Sequence, residues 1–258
     1  MPQEDAIWKQ NAQHIVSVCY RGVPRIPRID YVLSANYVPT KYRVIAIDLD
    51  GTLGTFQEVY ALWIFFNDVR QDVDYWLHLF PEFFRDEIWS VFRYLLDQKE
   101  AKRCQAVWLY TNNRFSPWFP RKIIDFIHSQ LPRPLFDDML GVYKTKGMVV
   151  EKRRRTNNKT YGDFIQGANL PVTSTVCFVD DQEHPYMRHP RVTYVKMTPY
   201  QHLLTLQQIV DRVEQRVLLR ADLLPKLKRF LAQTVGTPSV STEDNPADLR
   251  QQLQSFFV

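Results

Sequence analysis

The run Val44-Ile45-Ala46-Ile47 leads straight into Asp48-Leu49-Asp50-Gly51-Thr52-Leu53, so an apolar strand stops abruptly at two carboxylates one residue apart. Strand side chains alternate between faces, so Asp48 and Asp50 share a side unless the backbone turns between them, and Gly51 permits a turn just beyond. Two carboxylates this close repel each other. The pair therefore calls for a cation beside it or a proton on one member. An ordinary strand ending in an Asp-Gly turn is the plain alternative.

Two later segments repeat the pattern. Ala106–Tyr110 runs into Thr111-Asn112-Asn113, and Ser174–Val179 runs into Asp180-Asp181; both are short, rich in β-branched and aromatic residues, and end in polar side chains. Helical spacing lies between them. Val59, Leu62, Trp63, Phe65 and Phe66 suggest one helix, and Phe84, Ile88, Trp89, Val91, Phe92, Leu95 and Leu96 a second. Ile123, Ile124, Phe126 and Ile127 suggest another, after Ser116-Pro117-Trp118-Phe119-Pro120. Val192–Met197 reads as a strand, and Leu203, Leu206, Ile209, Val210, Val213 and Val217 form a core-facing helical stripe. Strands alternating with helices predict an α/β fold with a parallel sheet, whose C-terminal strand ends gather the polar residues at a ligand site.

Asp48-Leu49-Asp50-Gly51-Thr52, then Thr111, then a lysine, then Asp180-Asp181, resembles the four-motif series of the haloacid dehalogenase superfamily of phosphatases. Leu109-Tyr110-Thr111-Asn112-Asn113 and Val179-Asp180-Asp181 are most similar to its NLI-interacting-factor branch, which includes the RNA polymerase C-terminal-domain phosphatases and has relatives in some large DNA viruses. The resemblance spans about Tyr42 to Tyr200. One departure is Gly51, where that branch usually has Glu. The resemblance implies a Rossmann-like three-layer sandwich with a central parallel sheet and a small, mostly helical cap insertion. The expected organisation is an N-terminal extension over 1–41, a phosphatase domain over 42–232 with the insertion at 56–83, and a flexible C-terminal tail over 233–258. Within these, Ala6 to Cys19 suggests a short helix, Gly22–Pro27 an irregular stretch, Thr234–Glu243 a linker and Pro246–Phe257 a short terminal helix.

The resemblance also assigns roles. Asp48 becomes the nucleophile, a carboxylate already ionised at neutral pH, and Asp50 the acid that protonates the leaving oxygen and then activates water. Thr111 and the backbone N–H of Asn112 hold the transferring phosphate, and Asn113 is read as turn chemistry. Lys159 is the expected phosphate-stabilising lysine, with Lys144 and Lys146 as rivals. The implied cofactor is Mg²⁺, held by Asp48, the carbonyl of Asp50 and the Asp180-Asp181 pair, with Asp181 favoured as the direct ligand. His184 reads as a loop residue that touches substrate or is merely structural. The implied reaction is hydrolysis of phosphoserine or phosphothreonine in protein. A polynucleotide phosphatase and a catalytically silent binding protein stand as alternatives, although a scaffold has no need of a repelling carboxylate pair.

Composition agrees with these expectations. The 258 residues are 45% hydrophobic and 24% charged, enough to bury a sizeable core. A net charge of +5 leans towards anionic partners. Lys152-Arg153-Arg154-Arg155 could present an arginine cluster to a phosphorylated protein or nucleic acid; a solvated loop and a nuclear localisation patch are the other readings. Cys19, Cys104 and Cys177 lack paired spacing, the histidines do not cluster, and no apolar stretch is long enough to span a bilayer. The expectation is an intracellular protein, cytoplasmic or nuclear, without zinc and without a membrane segment.

Overall fold

The computed structural model describes residues 42–66, 72–86, 88–217, 222–234 and 246–257. The expected helix before Cys19, the Pro-rich stretch after it and the linker after Thr234 lie outside these residues.

The sheet follows from the apolar runs. Strands β1 (Arg43–Ile47), β2 (Ala106–Tyr110), β3 (Asp138–Leu140), β6 (Thr175–Asp180) and β7 (Val192–Lys196) form one five-stranded sheet in the order β3-β2-β1-β6-β7, with every pairing parallel. Between β3 and β6 the chain makes a two-stranded antiparallel hairpin, β4 (Lys144–Thr145) and β5 (Met148–Val149). The alternation of side chains sorts each strand onto two cores. Ile45, Ile47, Val107, Leu109, Cys177 and Val179 face one buried cluster, while Val44, Ala46, Trp108, Tyr110, Val176 and Phe178 face the other.

The two faces are covered unequally. Helices α1 (Gln57–Phe66), α2 (Val73–Leu79), α3 (Ile88–Glu100), α4 (Phe119–Ser129), α6 (Leu206–Arg216), α7 (Leu223–Thr234) and α8 (Pro246–Phe257) contribute to the first cluster. The short α5 (Tyr161–Gly167) contributes Phe164 and Ile165 to the second. The fold is thus α/β, a parallel sheet between helices, as the alternating pattern predicts. No helix among the described residues is long and apolar enough to cross a membrane.

The 56–83 segment, expected as a small helical insertion, carries α1 and α2, and its Phe56, Val59, Leu62, Trp76, Phe80 and Phe83 are buried in the same cluster as Ile45 and Ile47. Three other expectations are corrected. Phe84 and Arg85 do not begin a helix. Phe84 bridges Gly54, and the Arg85 guanidinium donates to the carbonyls of Gly51, Thr52 and Thr198, so tertiary bonds to the first motif win over helical propensity and α3 starts at Ile88. The C-terminal tail is not wholly flexible: α8 buries Leu249, Leu253, Phe256 and Phe257, and the Phe257 carbonyl accepts from Arg43. Apolar residues at this helical spacing gain more from burial than the segment's terminal position suggests. Leu203, expected on the α6 stripe, precedes the helix and is exposed.

Candidate active site

Strand order decides where the site lies. From β1 the chain builds outward to β2 and β3 on one side and to β6 and β7 on the other, so β1 sits at the switch point of the sheet, where the strand ends leave a crevice. Asp48 follows β1, Thr111 follows β2, and Asp180 closes β6. An open cleft at this edge is lined by Asp48, Asp50, Thr111, Asn112, Asn113, Lys159, Asp180, Gln182 and His184. The structure therefore brings together the catalytic and phosphate-binding residues predicted from sequence. Asp181 stands beside them rather than on the lining.

Lys159 is the centre of the cluster. It immediately precedes Thr160, which caps α5 by accepting from the Asp163 N–H, and this cap fixes where the lysine emerges. Its buried Nζ donates to Asp48 Oδ1 and, at 2.6 Å, to Asp180 Oδ2. The rivals Lys144 and Lys146 are on the β4–β5 hairpin, away from the cleft lining. His184 Nε2 lies 3.3 Å from the same Asp180 oxygen. Asp180 Oδ1 accepts from the Gln182 N–H at 2.8 Å, so this carboxylate is engaged on both oxygens.

The first-motif loop turns where the sequence permits it. Gly51 has φ 78, and a Cβ at that position would lie 2.5 Å from Asp181 Oδ2. A glutamate there, usual in the branch this chain resembles, would collide with Asp181 as placed. Thr52 Oγ1 accepts from the Asp181 N–H at 3.0 Å and donates to Asp181 Oδ1 at 3.2 Å. Thr52, Gly51 and Asp181 thus form one packed unit.

Burial sets the electrostatics. Of the carboxyls Asp48, Asp50, Asp180 and Asp181, Lys159 pairs directly with Asp48 and Asp180. Burial pushes the Asp48 carboxyl up to about 8, with Lys159 opposing and the Asp180 and Asp50 charges adding to the rise. Burial also raises Asp50 to about 6, against the hydrogen bond from Asn113. At Asp180 burial is outweighed by His184 and Lys159, and its carboxyl falls below the usual range. Asp181 is raised by burial and by Asp180. Lys159 rises because the two carboxylates outweigh its own burial.

Carboxyls whose ionisation burial opposes in this way suit a cation, which would favour the ionised forms of Asp48 and Asp181. Asp48, Asp180 and Asp181 each bring a carboxylate oxygen within 4.8 Å of the others. An all-oxygen set matches a hard divalent ion such as Mg²⁺ rather than zinc. The Asp50 carboxylate is outside this group and turns towards Asn113.

Asn113 is a site residue that the sequence reading left as turn chemistry. Its Oδ1 accepts from the Phe115 N–H at 3.1 Å, which fixes the amide orientation, and its Nδ2 donates to Asp50 Oδ2 at 2.8 Å. Its own N–H donates to Thr111 Oγ1 at 3.0 Å. With Oδ2 occupied by a donor, a proton on Asp50 must ride on Oδ1. The signal was the second asparagine of Thr111-Asn112-Asn113, which turn propensity explains equally well. Because Asn113 favours ionised Asp50, Asn113→Ala should raise the Asp50 pKa. If Asp50 acts as an acid, the alkaline limb of kcat/KM should move to higher pH; a profile at fixed Mg²⁺ that keeps its limb would dismiss this role.

The expectation of an exposed arginine cluster is corrected at Arg154, which is buried over the Tyr110 ring and braces the Thr111-Asn112 turn through the Thr111 carbonyl and Asn112 Oδ1. Arg153 is paired with Asp138 and Glu151. Carbonyls around Arg154 take up Nη1 and Nη2, while its buried Nε has no partner among the described residues, and only Lys152 and Arg155 of the run are exposed and uncommitted. Comparison with protein-family models, curated proteins and solved structures returns no match.

Proposed function

We propose that this protein is a Mg²⁺-dependent phosphomonoester hydrolase of the haloacid dehalogenase type, working through an aspartyl-phosphate on Asp48. The observation that carries this reading is the ammonium of Lys159 bridging Asp48 and Asp180 in an open cleft, beside a threonine hydroxyl and a second carboxyl able to hold a proton. Asp48 Oδ1 is bound to Lys159, whereas no hydrogen bond among the described residues engages Oδ2, which is the oxygen offered to phosphorus. Attack forms the Asp48 O–P bond and breaks the ester P–O bond, and the leaving oxygen takes the proton from Asp50. Asp50, now ionised, then takes a proton from water as that water attacks the phosphoryl group and frees Asp48. Lys159 and the Thr111 hydroxyl balance the charge on the phosphoryl oxygens. Asp48, Asp181 and the Asp50 carbonyl, with Asp180 in support, would hold Mg²⁺, which when bound neutralises charge on the phosphate. Burial that raises Asp50 to about 6 favours its role as acid.

The resemblance carries phosphoserine or phosphothreonine in protein as the substrate. A second reading, removal of a terminal phosphate from a polynucleotide, is favoured by the exposed cations of the segment between β3 and α5, which have no carboxylate partner among the described residues. Phosphate release from p-nitrophenyl phosphate, a phosphoserine peptide and a 3′-phosphorylated oligonucleotide tests the reading directly. EDTA should stop release and Mg²⁺ should restore it. Turnover that persists without divalent cation would refute the proposed centre.

A further inference from the structure

The chain's excess charge is concentrated in one segment. Between Gly141 and Thr160 stand seven lysines and arginines against a single carboxylate, Glu151, whereas the whole chain carries only +5. The remainder is close to neutral. The seven divide by depth: Arg154 and Lys159 are buried and build the phosphate end of the cleft, and Arg153 is tied to Asp138 and Glu151. Lys144, Lys146, Lys152 and Arg155 are exposed and have no carboxylate partner among the described residues. The nearby Asp163 is occupied by the backbone N–H groups of Arg155 and Thr156.

Topology sets these cations at the same edge of the sheet as the cleft. The β4–β5 hairpin leaves the C-terminal end of β3, and the Lys144 N–H donates to Asn157 Oδ1 at 2.8 Å. The Asn157 carbonyl accepts from Arg154, which in turn holds Asn112. The hairpin tip is Lys146-Gly147 with φ 48 and 80, a pair of left-handed residues in a position that favours Asn-Gly. A lysine there adopts an uncommon backbone and is exposed. On the loop after Asn112, Arg114, Phe115 and Trp118 are also exposed. Phe115 stacks on Tyr60 with centroids 4.7 Å apart, and its carbonyl accepts from the Tyr60 hydroxyl at 3.1 Å, so the ring is held in place.

We propose that this surface binds single-stranded nucleic acid whose terminal phosphate enters the cleft, with Lys144, Lys146, Lys152 and Arg155 following the backbone and Phe115 and Trp118 offering stacking faces. A lone phosphorylated side chain is served by the cleft itself. Several unpaired cations outside it suit a polymer that repeats its phosphate, and exposed aromatic rings suit bases that are not already paired. The assignment of this strand as substrate rests on the phosphatase reading, but its binding does not.

Binding is therefore measured without turnover, by fluorescence anisotropy on the full chain carrying Asp48→Asn. Three labelled probes are compared: a 3′-phosphorylated single strand of about a dozen nucleotides, the same sequence as a duplex, and a phosphoserine peptide. The single strand should bind tightest and weaken steeply with salt. Lys144→Glu with Lys146→Glu should weaken it about ten-fold or more at ~100 mM salt, and Phe115→Ala about ten-fold. In the chain that retains Asp48, the lysine pair should leave p-nitrophenyl phosphate turnover unchanged. Tighter binding of the duplex or of the peptide, or unchanged binding by the lysine variant, overturns the proposal. If the strand binds as expected while no substrate releases phosphate, the phosphatase reading fails and the binding surface stands.

Discussion

Asp48→Asn should eliminate phosphate release, by at least about 10³-fold, which corresponds to about 4 kcal/mol of lost transition-state stabilisation. An amide oxygen is a poor nucleophile, and the variant keeps every neighbour in place, so the loss is chemical rather than structural. The fold should gain from the change. A carboxyl held at about 8 against an ordinary value of 3.8 is one whose ionisation is opposed by the folded state. Such a group contributes stability that is fully present below about 3.8 and is lost as pH rises through about 8. Asn mimics the neutral form at every pH. In the absence of divalent cation, the variant should therefore melt no lower than the native chain at pH 7, and its relative advantage should grow as pH rises from 4 towards 8. Retained turnover would remove Asp48 from the nucleophile role. A variant that melts far lower at neutral pH would show that the Lys159 contact outweighs the burial of Asp48.

The largest loss of stability is expected at Arg154→Met. The buried guanidinium donates to Gly141 O at 2.7 Å, Asn112 Oδ1 at 2.9 Å, Asn157 O and Asn158 O at 3.1 Å each, and Thr111 O at 3.3 Å. Methionine fills much of the volume but donates nothing, and the buried Thr111 carbonyl and the half-buried carbonyls around it then lose their charged donor. The expected cost is about 3–5 kcal/mol, and the melting temperature should fall by roughly 10 °C. Arg155→Met, one residue on but exposed, should stay within about 0.5 kcal/mol of the native chain. Chemical denaturation of both variants checks the contrast. Equal stability of the two would mean that the loop around Arg154 finds other donors. Whatever remains folded of Arg154→Met should bind phosphate poorly, because the guanidinium holds the Thr111-Asn112 turn.

Much of this organisation was readable along the chain. Short β-branched runs ending in Asp48, Thr111 and Asp180 announced parallel strands, since only a strand buried on both faces tolerates so continuous an apolar stretch. Helical spacing placed α1, α4 and α6 to within a few residues. Other elements left weaker traces. β3 is three residues long and begins at Asp138, and the β4–β5 hairpin is signalled by little more than Gly147. The 56–83 segment shows its helices in sequence but not their destination, because an apolar face does not say which core receives it.

The same division runs through the candidate site. Residue types and order dictated that Asp48, Thr111 and Asp180 would meet at one sheet edge, because strand direction in a parallel α/β fold carries every C-terminal end to the same side, whereas a lysine among them was implied by the resemblance. Which lysine reaches Asp48, which asparagine holds Asp50 and which arginine is buried were decided by tertiary packing. Lys144, Lys146 and Lys159 are the same residue in similar polar surroundings along the chain, and so are Arg153, Arg154 and Arg155. They differ in depth once the sheet forms: Lys159 and Arg154 find enclosed oxygens within hydrogen-bond reach, while Lys144, Lys146 and Arg155 remain in water. Charge can be counted from residues, but its energetic consequence depends on burial and partners, and those exist only in three dimensions.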